Sequence, residues 1–289
     1  MHKVQAKGIL SAHNGMNIYR GCQHGCIYCD ARSDCYQMKH VFEDIEVKEN
    51  APALLEQALR SKRKRCMIGT GAMSDPYIPL EEELRLTRRC LELIAEYGFG
   101  LAIQTKSDRI LRDLDLLKEI NRKAKCVVQM TLTTYDENLC RILEPSVCTT
   151  ERRVEVLDIL RQEGIPTIVW MTPILPFIND TRENIQGLLQ QCVKVKTKGI
   201  ITFGIGVTLR QGDREYFYRK LDRHFPGMKE KYIHTFGNDY EIPSPRNAEL
   251  MGLLRETCEE HGIWSDARKC FEYLHTFEAR ETYEQLSLF

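Results

Sequence analysis

The sequence predicts an α/β chain built as a partial (βα)6 barrel with a C-terminal helical extension. Two observations carry that expectation. Short apolar runs alternate with longer amphipathic ones from residue 15 to residue 209, and regular βα alternation implies a parallel sheet with helices outside it, because parallel strands need crossover connections. Beyond residue 210 the rhythm stops, and Pro226, Pro243 and Pro245 punctuate the C-terminal stretch. The chain is therefore divided into a barrel over 1–209 and a capping extension over 210–289 that belongs to the same structural body.

The first strand is expected over Gly15–Tyr19, just ahead of a cysteine-rich loop. Residues 51–62 read as a helix with Leu54, Leu55, Ala58 and Leu59 on one side, and Cys66–Gly69 as a buried strand. Residues 80–97 keep Leu80, Leu84, Leu91 and Ile94 on one helical face, which Gly98 ends. Gly100–Gln104 is the next strand. Ser107 or Asp108 then caps a helix carrying Ile110, Leu114 and Leu117. Strands Cys126–Thr133 and Ile165–Met171 flank a helix that begins at Thr149 or Thr150 and buries Val154, Leu157 and Leu160. Asp180-Thr-Arg-Glu183 has the spacing of a capping box, opening a helix with Ile185, Leu188 and Leu189. Ile200–Leu209 is the last strong strand. Helices near 244–262 and 266–281 are expected in the extension.

Composition narrows the class. The chain has 289 residues, 43% hydrophobic and 28% charged, which suits a soluble protein with a sizeable core. It contains no run of about 18 apolar residues, and its first residues lack the apolar stretch of a signal peptide, so a cytoplasmic location is expected. With 41 basic and 41 acidic residues the net charge is zero. That argues against binding nucleic acid through the whole surface and leaves a local basic cleft open. No internal repeat or low-complexity segment is present.

Three cysteines are the most informative residues: Cys22, Cys26 and Cys29, spaced C-x3-C-x2-C. Three thiolates this close can hold three corners of one [4Fe-4S] cluster, leaving one iron open to a small molecule. A zinc site is the alternative, with His24 or Cys35 as a fourth ligand. A disulfide framework does not suit a chain of this length without a secretory signal. The cysteine loop follows the first strand, so it falls on the C-terminal edge of the barrel, where chemistry sits in βα barrels. Three further stretches share that edge. Gly69-Thr-Gly-Ala-Met-Ser-Asp-Pro-Tyr77 offers close backbone approach and the polar groups of Ser74 and Asp75. Gln104-Thr-Lys-Ser107 places Lys106 on the rim, and Thr131, Thr133 or both face the interior from the fourth strand.

The cysteine spacing, with Tyr28 before the last cysteine, resembles the signature of the radical S-adenosylmethionine (radical SAM) superfamily. With it stand Ser-Asp-Pro-Tyr (74–77), Gln-Thr-Lys-Ser (104–107), Arg-Ile-Leu-Glu-Pro (141–145) and Pro-Ile-Leu-Pro-Phe-Ile-Asn-Asp (173–180). In that order, over residues 10–275, the strings resemble the spore photoproduct lyase-like branch. The resemblance implies a radical SAM barrel and a [4Fe-4S] cluster on Cys22, Cys26 and Cys29. It implies SAM contacts from Tyr28, Ser74, Lys106, Thr131 and Thr172. It also implies reductive cleavage of SAM to a 5′-deoxyadenosyl radical, an electron donor such as flavodoxin or ferredoxin, and a DNA lesion repair lyase as one substrate reading. The sequence departs from the lyase itself at Met73, where the lyase carries a hydrogen-donating cysteine, and at Asp30-Ala-Arg32, where it carries aromatics. The SAM machinery carries over and the thymine-dimer substrate does not. Radical modification of a peptide, RNA or small metabolite is the alternative, and a non-catalytic zinc or iron–sulfur scaffold is the third reading.

Two basic stretches bear on nucleic acid. Arg60-Ser-Lys-Arg-Lys-Arg65 precedes the second strand, on the rim away from the cysteines, and suits a solvated helix end. Leu209–Tyr232 interleaves cations with Tyr216, Phe217, Tyr218, Phe225 and Tyr232. It reads equally as a stacking surface or as an amphipathic capping helix. Cys35, Cys140, Cys148 and Tyr218 are further residues that could supply hydrogen atoms, with idle thiol the default for each cysteine.

Overall fold

The computed structural model describes residues 1–280. The final residue of the helix expected over 266–281, and residues 281–289 of the expected extension, lie outside the described residues.

Six parallel strands form one sheet in sequence order: β2 (Gly15–Met16), β5 (Met67–Thr70), β6 (Gly100–Thr105), β7 (Cys126–Thr131), β8 (Thr167–Trp170) and β9 (Gly199–Ile201). β2 and β9 are both edges, so the barrel is partial. A second sheet orders β1 (His2–Val4), β4 (Glu46–Lys48) and β3 (Tyr19–Arg20). The single strand expected over Gly15–Tyr19 is thus divided between two sheets. Tyr19 and Arg20 pair antiparallel with β4, and Lys48 N–H donates to Ile18 C=O.

Helices α1 (Ala51–Ser61), α3 (Leu86–Tyr97), α4 (Leu114–Lys123), α6 (Thr150–Gln162) and α7 (Arg182–Lys194) cross between strands. Two expectations about helices need correction. The helix over 80–97 is broken into α2 (Glu81–Leu84) and α3 by Arg85, which takes a left-handed φ of 51°. The cause is Glu81, fully buried, whose carboxylate accepts from Tyr19 OH, Thr87 N–H and Arg112 Nη2. The helix after Ser107 begins as a 3-10 turn over Asp108–Asp113, with Ser107 Oγ accepting from Arg109 N–H. α5 (Glu137–Leu143), capped by Asp136, had no expected counterpart.

The strand expected over Ile200–Leu209 is also broken. After β9 the chain turns through Gly204, and β10 (Gly206–Thr208) pairs antiparallel with β11 (Glu241–Pro243) in a separate ribbon. Between them lie α8 (Asp213–His224) and α9 (Met228–Phe236), followed by α10 (Asn247–Glu260) and α11 (Ala267–His275).

Alternation along the parallel strands sorts the core into two faces. Ile68, Leu101, Ile103, Val128, Met130 and Val169 pack with the buried faces of the crossover helices. Met67, Ala102, Val127, Ile168 and Ile201 face the other way and pack with Cys270 and Leu274 of α11, so the C-terminal helix fills the lower barrel interior. α8 and α9 instead bury Phe217, Leu221 and Tyr232 against Ile27, Tyr28, Leu143 and Leu175, walling the cysteine loop from behind. Phe217 and Tyr232 are therefore core residues, whereas Tyr216 and Tyr218 of the same stretch stay partly exposed. Among the described residues no helix is long and apolar enough to cross a membrane.

Candidate cofactor-binding cleft

The C-terminal ends of the parallel strands open into a cleft of about 690 Å³ whose lining brings together Cys22, Cys26, Tyr28, Cys29, Met73, Ser74, Lys106, Thr131 and Thr172. The cysteine loop is shaped by close backbone contacts. Gly21 has φ 90°, and a Cβ there would stand 2.3 Å from Phe42 O. Cys22 N–H donates to Phe42 C=O, and Ile27 N–H to Leu143 C=O. Ser74 Oγ–H donates to Gly21 C=O at 2.6 Å, so the expected SAM-contact residue also ties the cysteine loop to the loop after β5. Gly71, at φ 102°, lies against Gln104 O, where a Cβ would stand at 2.0 Å.

Asp75 is a junction. Its carboxylate accepts from Thr105 Oγ1 (2.7 Å), Lys106 N–H (2.8 Å) and Tyr77 N–H (2.8 Å), and it faces His24 Nδ1 at 3.4 Å. This one side chain joins the cysteine loop, the loop after β5 and the end of β6. The sequence marked it as a ligand contact, whereas its oxygens are taken up by the protein.

Interior-facing positions stack in layers above the apolar one. Gln104, Gln129 and Trp170 form a polar floor, with Trp170 Nε1–H donating to Gln129 Oε1 at 2.9 Å. Lys106, Thr131 and Thr172 stand above it in the lining. Thr133 is excluded from the cleft: its carbonyl accepts from Asn179 and Asn184 and its hydroxyl lies 3.3 Å from that of Thr134. Of the two candidate threonines on the fourth strand, Thr131 alone lines the cleft.

Burial pushes the Cys22 thiol up to about 12, with the Asp75 charge adding to it, and raises Cys26 and Cys29 as well. Neutral buried thiols of this kind ionise when a metal centre offsets the charge. Burial alone would depress the Lys106 ammonium, but the thiols of Cys26 and Cys29 and the Glu144 carboxylate outweigh it and hold the pKa raised. Lys106 places a cation in the cleft lining, its Nζ 6.0 Å from the Tyr28 ring centroid.

Cys22, Cys26 and Cys29 bring three soft thiols to the lining of one cleft, a donor set that fits an iron–sulfur cluster.

Several residues here carried no sequence signal of their role. Glu144 and Arg153 form a fully buried ion pair at 2.5 Å, and Tyr28 OH donates to Glu144. Glu144 belongs to the Arg-Ile-Leu-Glu-Pro string, but nothing in that string names its partner. At the mouth stands Arg210, one of the cations that the sequence marked in the 209–232 stretch; it donates from Nη2 to Tyr240 OH at 2.6 Å and from Nη1 to Cys35 Sγ at 3.1 Å. Phe203 lines the same mouth with 71% of its surface exposed, edge-on to Trp170 at 6.1 Å. Cys35, Cys140 and Cys148 do not line the cleft. Cys140 Sγ lies 3.7 Å from Glu144 Oε2, and Cys148 Sγ–H faces Lys106 C=O at 3.2 Å.

Comparison with known proteins places this geometry in context. A family model described as the radical SAM superfamily matches residues 16–192. An uncharacterized protein of Mycobacterium tuberculosis strain H37Rv is 29% identical over 257 residues, covering 87% of this chain and 75% of the relative. A radical SAM Nα-GlyT isomerase of Pseudomonas phage M6 is 23% identical over 259 residues, covering 87% of this chain and 52% of the relative. Among solved structures, a spore photoproduct lyase variant with bound AdoMet and dinucleoside spore photoproduct superposes with a TM-score of 0.61. It is 15% identical and covers 86% of this chain and 74% of that one, a likeness of fold.

Proposed function

The chain belongs to the radical SAM superfamily, and on that premise we propose that Cys22, Cys26 and Cys29 hold three irons of its [4Fe-4S] cluster while the cleft lining positions S-adenosylmethionine at the fourth. When both are bound, one electron to the cluster cleaves SAM to methionine and a 5′-deoxyadenosyl radical. The protein's own share is placement and exclusion. The Lys106 ammonium answers the SAM carboxylate, Thr131 and Thr172 offer hydroxyls from the strand ends, and Ser74 steadies the loop that carries Cys22. Tyr28, fixed through its hydroxyl on Glu144, forms one wall. The packed faces of α8 and α9 exclude water behind the cysteines. A one-electron donor such as flavodoxin or ferredoxin docks from outside.

For the substrate we propose a nucleobase-bearing molecule, the class that includes a DNA lesion. The observation that carries this reading is Phe203, a large ring left 71% exposed at the mouth beside Trp170. An exposed aromatic face stacks a base, and Arg210 at the same mouth suits a phosphate. The lyase's own route to product is not proposed. A thioether at Met73 has no S–H to give, and among the described residues the only cysteines lining the cleft are Cys22, Cys26 and Cys29.

The test is anaerobic release of 5′-deoxyadenosine with SAM and a strong reductant. Oligonucleotides, including one with a dinucleoside lesion, should accelerate it, and Phe203→Ala should remove the acceleration while leaving basal SAM cleavage and iron content unchanged. Acceleration by a peptide library and not by any oligonucleotide would transfer the reading to a peptide substrate.

A further inference from the structure

Away from the cleft, the second sheet and the loop before β4 gather two imidazoles and two carboxylates. β1 lies parallel to β4 with His2 opposite Glu46, and His2 N–H donates to Ile45 C=O. The loop residues His40 and Asp44 close over that pair. One nitrogen from each histidine and one Asp44 oxygen lie within 4.8 Å of one another. None of the four residues lines the cleft.

The hydrogen-bond pattern fixes which atoms are bare. His40 Nδ1 lies 3.1 Å from Val41 O, a carbonyl that can only accept, so Nδ1 is the donor of that contact and Nε2 is the nitrogen left to act as a ligand. That Nε2 is buried with no hydrogen-bond partner. What faces it, at 3.8 Å, is the Glu46 carboxylate, which is also only an acceptor. His2 is hydrogen-bonded at one nitrogen and turned toward the same Glu46 carboxylate with the other. Its Nδ1 lies 3.0 Å from Asp44 Oδ2, and its Nε2 lies 4.0 Å from Glu46 Oε2. Asp44 Oδ1 takes the Met1 amine at 2.9 Å. A ring nitrogen that faces a carboxylate at this spacing takes either a proton or a metal cation between them. Imidazoles whose other nitrogen is held by a carbonyl or carboxylate are in the state metal-ligating histidines adopt.

We propose that His2, His40, Asp44 and Glu46 form a binding site for one divalent cation of the zinc class. Nitrogen and oxygen donors without sulfur suit zinc or its neighbours rather than a second iron–sulfur centre. The bound ion joins β1 to the loop whose Phe42 C=O accepts from Cys22 N–H, so it braces the cysteine loop from the outer side.

The test uses the full-length, cluster-loaded protein, in which iron occupies the cysteines, with any affinity tag placed C-terminally and removed. After chelation, zinc sulfate is added and unbound metal removed by gel filtration. One zinc per chain beside the iron is expected. The zinc X-ray absorption edge should show a nitrogen and oxygen first shell with imidazole scattering and no sulfur. His2→Ala with His40→Ala should weaken zinc binding about 100-fold or more, and Glu46→Gln about 10-fold or more, since losing even an outer-shell partner costs 10–100-fold, while iron content is unchanged. No retained zinc, sulfur in its first shell, or undiminished binding in the double variant would each overturn the proposal. If the double variant loses its iron, the wild-type absorption edge decides alone.

Discussion

Arg153 Nη2 stands 2.5 Å from Glu144 Oε2 with both side chains fully buried, and the same carboxylate takes the hydroxyl of Tyr28, one residue before the last cysteine of the loop. Arg153 also donates to the carbonyls of Cys148 and Thr131, so one guanidinium links α6, the end of β7 and, through Glu144, the cysteine loop. Burial alone would raise the Glu144 pKa, but Arg153 and Lys106 outweigh it and hold it below the usual carboxylate range. Removing one partner of a buried pair strands a charge and costs about 3–5 kcal/mol. Arg153→Met should therefore lower stability by about that much. Arg153→Met with Glu144→Gln should lower it by clearly less than the two single changes summed. Anaerobic denaturant titration of the four proteins measures both, and additive losses would show that the pair is not coupled.

The cluster assignment rests on the family and on three soft thiols that share one cleft lining. Anaerobically reconstituted protein is expected to hold about four irons and four sulfides per chain. Replacing Cys22, Cys26 and Cys29 together with Ala should remove them along with the visible absorbance. Zinc at the wild-type cysteines, with no absorbance in the visible region, would return the loop to the single-ion reading.

Ser74 and Lys106 both line the cleft, yet they are expected to fail differently. Ser74 Oγ–H is committed to Gly21 C=O, immediately before Cys22. Ser74→Ala leaves that buried carbonyl short of a partner, which costs about 1–3 kcal/mol, and should lower iron retention along with SAM affinity. Among the described residues, Lys106 Nζ makes no hydrogen bond or ion pair, and its backbone N–H alone is held by Asp75. Lys106→Met should keep the iron and weaken SAM binding. Iron analysis beside equilibrium SAM binding separates the two, and iron loss in the Lys106 variant would make that residue structural.

The difference between those two residues marks where sequence reading stops. The cysteine loop, the parallel strands and the place of Lys106 on the rim follow from local signals: spacing, alternation and position at a strand end. The strand pattern leaves Thr131 and Thr133 open, and Thr172 comes only from the family resemblance. The placement of Thr133 outside the cleft required knowing where β7 stops pairing, which depends on Asn179 and Asn184 reaching back from α7 and the loop before it. Glu81 breaks a helix because Tyr19 and Arg112, 62 and 31 residues away, converge on it. Glu144 and Arg153 are nine residues apart, but the contact of Glu144 with Tyr28 spans 116. Apolar periodicity reports which face is buried. It does not report which polar groups meet inside, and those meetings set the cleft's walls.

Asp213 supplies a pH test of the cap. It begins α8, accepts Arg210 N–H at Oδ1 (2.7 Å) and has its Oδ2 buried without a hydrogen-bond partner. Burial, with the Asp30 charge adding to it, pushes its pKa up to about 6. An acid whose folded pKa lies above the unfolded value of about 3.9 favours folding when protonated. That contribution is complete below about pH 4, is lost as pH rises toward 6, and leaves a constant penalty above it. Asp213→Asn keeps an oxygen for Arg210 N–H and removes the charge. The helix N-terminus favours that charge by about 0.3–1 kcal/mol, and solvent screening trims the rest, so a gain of about 1 kcal/mol is expected at pH 7.5. The gain should shrink through pH 6 and vanish near pH 4. Thermal unfolding of the two proteins at pH 4, 6 and 7.5 checks it. A pH-independent difference would assign the effect to packing rather than to the carboxylate's charge.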